Sequence, residues 1–188
     1  MARPARRRAP VLFALLGAAV VIAGCGGAEP VAPPGPFPPR PADIDVLRLD
    51  PCELVTPEQR SALGVDDGEA RTGRLSSGET RVCLWHNFDD GYNFTAQTVA
   101  GPSAATAAGA PDTSVESVAG YGAARTTDFG DSAPLCGLVI DAADDAAIRV
   151  QAQATGRGPD GSRQTFDQVC AKASDVATDV IGNATSAG

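Results

Sequence analysis

The chain has 188 residues, of which 20% are charged and 5% are aromatic, and its formal charge is −8. Apart from the arginines at its start, the chain is acidic and has no basic cluster for binding nucleic acid, so the composition excludes that class of function. The same charge predicts repulsion from anionic lipid head groups.

Residues 1–24 have the three zones of an export signal: a basic start, an apolar run and a small-residue end. The end, Ile22-Ala23-Gly24-Cys25, is similar to a bacterial lipobox, which predicts cleavage before Cys25 and acylation of its thiol. A short transmembrane helix is the alternative, but the apolar run of residues 11–24 falls short of the roughly 20 residues that span a bilayer. The arginines do not decide between general secretory and twin-arginine export.

Removal of this signal takes away four arginines and no acidic residue, so the formal charge becomes −12. We therefore expect the acyl chains on Cys25 to be the contact with the membrane. The predicted location is the extracytoplasmic face of the cell membrane.

Residues 25–43 are predicted to form a tether, because 26–41 contain seven prolines. Proline lacks the backbone N–H that helices and sheets need, so the segment is expected to be semi-extended. Sixteen such residues reach roughly 50 Å. A proline-rich ligand for a partner domain is the alternative.

Residues 44–183 have the length of one domain and show no internal repeat. We predict a single α+β domain, with an antiparallel sheet packed against a short N-terminal helix and a longer C-terminal amphipathic helix. Residues 184–188 are expected to form a disordered tail.

The short helix is predicted just after Cys52, with Ala62 and Leu63 as its main apolar contacts. Its signals are an N-cap threonine, a first-turn proline, a capping-box glutamine and a terminal glycine: Thr56, Pro57, Gln59 and Gly64.

Several strands are predicted in the middle of the chain, from short apolar runs and alternation between turns. They cover 82–85, 93–99, 115–118, 123–127 and a hairpin over 135–152 with its turn at 141–145. The first two are joined by a turn at 87–91, and residues 101–112 are ambiguous.

The final helix is predicted from one apolar face with helical spacing, between a possible N-cap at Ser162 and a terminating Gly182. The face consists of Phe166, Val169, Cys170, Ala173, Val176, Ala177 and Val180.

Four cysteines besides Cys25 make an even set in an exported chain, which predicts two disulfides. Three pairings are possible. We favour Cys52–Cys83, which ties the first helix to a strand, and Cys136–Cys170, which ties a strand to the buried face of the final helix. A metal site requires clustered ligands such as C-x-x-C, and the sequence has none.

Four features together resemble a family of actinobacterial envelope lipoproteins of unknown function. They are "DPCELVTPEQRSALG", "CLW", "VAGYGAA" and the late cysteine of the final helix, and the resemblance covers most of 45–182. It implies an α+β domain with an antiparallel sheet, related to the PsbP-like sandwich, and it supplies no catalytic residue. The "GYGAA" stretch departs from the Gly-Asp-Ala-like turn expected there.

Catalytic candidates are few. Ser132, in Gly-Asp-Ser, is a possible hydrolase nucleophile, but such a serine needs a base, and the sole histidine, His86, matches no known catalytic context. We expect His86 to be solvated and Trp85 to anchor the core beside the Cys52–Cys83 bridge, with ligand stacking as the alternative for Trp85.

The acidic pairs and the glycine-rich loop are predicted to be turns. The acidic clusters at 66–67, 89–90 and 141–145 lack the alternating spacing of a calcium loop. The loop 156–161 lacks the Lys-Ser/Thr of a phosphate-binding loop. No cofactor is expected.

Three functions are therefore open. The first is a non-enzymatic, lipid-anchored domain that binds an envelope protein, polymer or small ligand. The second is an envelope hydrolase that uses either Ser132 with His86 or a pair of carboxylates. The third is a lipid or small-molecule carrier with an apolar cavity between sheet and helix.

Overall fold

The computed structural model describes residues 35–75, 78–101, 103–130, 133–158 and 160–187. The predicted signal peptide, the lipid-anchor residue Cys25 and Ser132 lie outside these ranges. No helix within them is long and apolar enough to cross a bilayer.

The described residues form one sheet with three α-helices and a single 3₁₀ turn, as predicted for an α+β domain. The helices are α1 (Pro57–Leu63), α2 (Ser103–Ala108) and α3 (Phe166–Ser186), and the 3₁₀ turn is Pro51–Leu54. The strands are β1 (Glu69–Leu75), β2 (Gly78–Asn87), β3 (Tyr92–Ala100), β4 (Ser114–Val118), β5 (Tyr121–Gly130), β6 (Ala133–Ala143) and β7 (Ala146–Ala154).

The sheet is antiparallel throughout, in the order β1-β2-β3-β7-β6-β5-β4. The chain builds β1 to β3 as a meander and then passes through α2 to the far edge. It returns through β5 and β6, so that β7 pairs with β3 at the centre. This path places α2 against β5, β6 and β7.

The core lies between the sheet and α3. Alternate residues of the central strands face α3 and are buried, because successive side chains of a strand point to opposite faces. The most completely buried of these sheet residues include Trp85, Leu138, Ile140, Ile148 and Val150. Helix α3 contributes Val169, Ala173, Val176, Ala177, Val180 and Ile181.

The N-terminal helix α1 has the predicted caps. Thr56 and Gln59 form a capping box, and Gly64 ends the helix in the left-handed conformation, with φ of 64°. The predicted contact of Leu63 with the core is confirmed, whereas that of Ala62 is wrong because its side chain is exposed.

Helix α3 begins and ends later than predicted. Its N-cap is Thr165, which forms a capping box with Gln168, whereas Ser162 donates its hydroxyl to Asp160 in the preceding turn. Gly182 lies inside the helix, because burial of the next turn through Ala184 outweighs the low helix propensity of glycine. The helix therefore includes the first residues of the expected tail.

Both predicted disulfides are confirmed. Cys52–Cys83 has a Cα–Cα distance of 5.0 Å, and Cys136–Cys170 has one of 5.1 Å. Both lie on the α3 side of the sheet, where Cys83 and Cys136 are fully buried. They join the N-terminal segment and α3 to the same face.

Residues 35–43, expected to be tether, lie against the domain. Arg40 forms ion pairs with Asp43, Asp141 and Asp144, which raise the pKa of its guanidinium, with the hydrogen bond to Asp144 as the largest cause. Phe37 packs against the small cluster under α2. The domain therefore begins earlier than predicted, at the end of the sheet that carries the β6–β7 turn.

Candidate functional site

The sheet face opposite α3 is the candidate site, and we call its half-buried part on β3, β7, β6 and β5 the open face. Helix α2 covers only one end of it, over Val99, Ala124, Val139 and Ala147. Beyond that end, alternate residues of β3 and β7 are half-buried and polar, in contrast to their buried neighbours. They are Asn93, Thr95, Gln97, Arg149, Gln151 and Gln153.

Arg149 lies on the central strand β7, at the border between the open face and the end that α2 covers, because its neighbours Val139 and Ala147 belong to the cluster under α2. Its side chain is half-buried, and its Nε atom is buried with no hydrogen-bond partner in the described residues. Burial lowers the pKa of this guanidinium, because removal from water penalises the charged form. Arginine nevertheless stays protonated in proteins, so the charge persists.

The nearest side chains to Arg149 are uncharged. Gln97 and Val139 are its cross-strand partners, and Gln151 follows on the same face of β7. The closest acidic residue by register, Asp141, is one step away on the diagonal, and its carboxylate is 2.8 Å from Arg40 Nη1. No ion pair of the described residues includes Arg149.

The next row of the open face is held by hydrogen-bonding side chains. Thr95 Oγ1 lies 3.5 Å from Gln151 Oε1. A Cβ at Gly137 would lie 3.0 Å from Thr126 Oγ1 and 3.6 Å from Gln151 Nε2, so both side chains cover this glycine. The row beside Arg149 is therefore flat and polar.

Three other residues of the described ranges have a buried side-chain nitrogen or oxygen without a hydrogen-bond partner, and each side chain is fixed by other contacts. Arg125 donates to Glu116 through its Nη2 atom, and Gln164 donates to the Asp90 carbonyl through Nε2, at 3.0 Å. Trp85, whose Nε1 is also unpartnered, faces the core. Of the four described residues that have a buried polar side-chain atom without a hydrogen-bond partner, Arg149 is the one that lies on the open face.

Of the proposed hydrolase pair, His86 and Ser132, the structure describes only His86. His86 lies on β2, with its Nδ1 atom 2.7 Å from Asn93 Oδ1 and its ring stacked on Phe88 at 5.3 Å. Ser132 lies outside the described residues. His86 is half-buried, not freely solvated.

Trp85 is a core residue, as predicted. It is 1% exposed, and a Cβ at Gly68 would lie 2.5 Å from its Nε1 atom and 2.9 Å from Cys83 Sγ. Both side chains therefore pack against Gly68, which places Trp85 beside the Cys52–Cys83 bridge. Stacking of a ligand on the indole is not possible in this position.

The acidic clusters do not form a metal site in the described part of the chain, where no group of three or more His, Cys, Asp or Glu side chains is arranged to hold an ion. Asp141 and Asp144 bind Arg40, and Asp66 accepts hydrogen bonds from the backbone of Gly68 and His86. Asp160 caps the turn in the glycine-rich loop through Ser162, which lowers the pKa of its carboxyl.

The cavities that we describe lie at the end of the sheet reached by residues 35–47. A groove of about 710 Å³ is bordered by Phe37, Arg40 and Ala105. Two cavities of about 350 and 270 Å³ share Val46, Leu47 and Ala100. Each is lined in part by the N-terminal segment.

Sequence reasoning recognised the alternation that contains Arg149 but did not single this residue out. The alternation of Ile148, Val150 and Ala152 with polar residues places Arg149 on the far side of the strand from the core. The sequence signal for Arg149 was its position as the one cation within a run of uncharged residues that is predicted to form a strand. Its lack of a partner depends on β3 and β6, which are distant in sequence.

Comparison with known protein families gives one match, to the family described as protein of unknown function DUF3558, over residues 20–183. No curated protein and no solved structure matches the chain. Because the match covers most of the sequence, the chain belongs to the DUF3558 family, in agreement with the expected membership of an uncharacterised family.

Proposed function

We propose that the protein is a non-enzymatic, lipid-anchored binding domain on the extracytoplasmic face of the cell membrane, and that the open face is its binding surface. The observation that carries this proposal is the half-buried Arg149, which has no ion-pair or hydrogen-bond partner among the described residues and borders the uncovered polar part of the sheet face. A buried charge without a partner lowers the stability of a fold, so its presence is best explained by a ligand.

The two disulfides support an extracytoplasmic location. Disulfides persist in oxidising compartments outside the cytoplasm and are rare inside it. The lipobox at Ile22–Cys25 and the prolines after it support anchoring through Cys25. The relation to the PsbP-like sandwich stays a prediction.

The packing favours a binding surface over a carrier. The expected carrier cavity lies between the sheet and α3, but the facing residues there are closely packed. Leu138, Ile148, Val150, Val169 and Val176 are all 0% exposed. A lipid chain would have to displace this core.

Position-specific photocrosslinking in intact cells tests the binding surface. A photoreactive amino acid replaces Gln97 on the open face or, as the control, the exposed Asp175 on α3. We expect discrete adducts from position 97 and none from position 175. Equal adducts from both positions, or none from 97, would refute the open face as the binding surface.

The anchor is tested by the Cys25→Ser variant, since serine cannot form the thioether to the lipid. We expect the wild-type chain in the membrane fraction with an incorporated fatty-acid label. The variant should lack the label. A label that persists in Cys25→Ser would contradict acylation at this residue.

A further inference from the structure

The Arg149 guanidinium defines the charge of the ligand. Its Nε atom is buried without a partner, and no carboxylate of the described residues forms an ion pair with it. Folded proteins pair nearly all buried donors, and a cationic donor gains most from an anionic acceptor. No such acceptor reaches Arg149 from the described residues, so an anionic group of a ligand is the partner that its chemistry favours.

The shape of the guanidinium and the charge of the protein favour a carboxylate over a polyanion. The planar fork of arginine matches the two oxygens of a carboxylate. Phosphate-rich polymers bind through several cations, whereas the other arginine of this sheet face, Arg71, is paired with Glu69. A chain of formal charge −8 would also repel a polymer of many negative charges.

The side chains beside Arg149 indicate which other groups the ligand presents. Gln97 and Gln151 flank it, and Thr95 lies beside Gln151. A primary amide both donates and accepts hydrogen bonds, which is the pattern that a peptide group presents in return. Within the described residues, Phe37 packs on the part of this sheet face that α2 covers, and His86 and Phe88 lie on or just beyond the end of β2, two strands from β7.

We propose that Arg149 binds the free carboxylate of a peptide on the open face, while Gln97 and Gln151 bind the adjacent peptide groups. This inference rests on the proposed function, because it takes the open face as the binding surface. It adds the chemical class of the ligand, a peptide with a free carboxylate.

The test is an NMR titration of the full chain, labelled with ¹⁵N and purified in detergent. The probe is N-acetyl-alanyl-alanine with a free carboxylate, and the matched control peptide is its C-terminal amide. Inorganic phosphate is a third probe. We expect saturable shifts of the Gln97, Arg149 and Gln151 signals with the free acid alone.

Variants identify the residue that binds the carboxylate. Arg149→Met keeps most of the side-chain stem and should weaken binding of the free acid at least tenfold. Arg149→Lys keeps the charge without the fork and should give an intermediate affinity. The matched control is Arg71→Met on the edge strand, which should bind as the wild type does. The dispersion of the NMR spectrum shows whether each variant is folded.

Three outcomes would overturn the inference. They are saturable binding of the amide with equal affinity, tighter binding of phosphate than of the free acid, and unchanged affinity in a folded Arg149→Met variant. Crosslinks from position 97 that persist in Arg149→Met would leave the binding surface intact and refute only the carboxylate. Absence of both crosslinks and peptide binding would refute both proposals.

Discussion

The two faces of the sheet differ in what their side chains do. The centre of the face toward α3 is mostly apolar and buried, and two disulfides crosslink it. The open face is half-buried and polar, and at its border lies Arg149, whose Nε atom has no hydrogen-bond partner among the described residues. Adjacent residues of one strand, such as Ile148 and Arg149, therefore contribute in opposite directions to the free energy of folding. The difference indicates that the α3 side supplies stability and that the open face is free to bind.

The disulfides provide the largest expected effect on the α3 side. Their cysteines are separated by 31 and 34 residues, and in the chain-entropy model each loop is worth about 4 kcal/mol. We expect Cys52→Ala/Cys83→Ala and Cys136→Ala/Cys170→Ala each to lower the free energy of unfolding in urea by this amount. A loss below about 1 kcal/mol would contradict a stabilising role for the crosslink.

A matched pair of leucines on β6 compares the faces directly. Leu138 faces α3 and is 0% exposed, whereas Leu135 is half-buried on the opposite face. Leu138→Ala should cost about 3 kcal/mol through lost burial and a cavity. Leu135→Ala should cost less than about 1 kcal/mol, because its site opens to water. Equal losses in urea unfolding would show that the open face is also part of the core.

A matched pair of threonines gives a smaller effect. Thr165 caps α3, whereas Thr126 lies on the open face with its hydroxyl 3.5 Å from the Gly137 carbonyl. Thr165→Ala should lower the free energy of unfolding by about 1 kcal/mol, the usual value of an N-cap. Thr126→Ala should lower the free energy of unfolding by less. A larger loss for Thr126→Ala than for Thr165→Ala in thermal unfolding would contradict the role of Thr165 as the stabilising cap.

The Arg40 ion pairs give the smallest expected change in stability. Two of the three carboxylates, those of Asp43 and Asp144, are mostly exposed, so water and salt screen them. Arg40→Gln should cost about 0.5 kcal/mol. Limited proteolysis should nevertheless cut residues 35–43 faster in this variant. An unchanged cleavage rate would show that Arg40 does not hold the segment.

The parts predicted from the sequence are those that local signals determine. The capping box of Thr56 and Gln59 needs only four adjacent residues. The face of α3 follows from helical spacing, and together with the even number of cysteines besides Cys25 it led to the correct pairing of Cys136 with Cys170. These features depend little on distant strands.

The parts that were missed depend on contacts distant in sequence. Strand β1 is exposed at every residue, so it shows no apolar alternation, and only pairing with β2 makes it a strand. One miss is local, because Thr165 caps α3 in a capping box with Gln168, a signal that the sequence itself contains. The importance of Arg149 could not be predicted, because its lack of a partner follows from Gln97 and Val139 on neighbouring strands.

Two measurements on one Arg149→Met sample test the division between the faces most directly: its free energy of unfolding and its affinity for N-acetyl-alanyl-alanine. Removal of an unpaired, half-buried charge should raise stability by about 1 kcal/mol, as is common when a binding residue is replaced. Affinity should fall at least tenfold in the same sample. A variant that is less stable and binds the peptide as the wild type does would contradict the account.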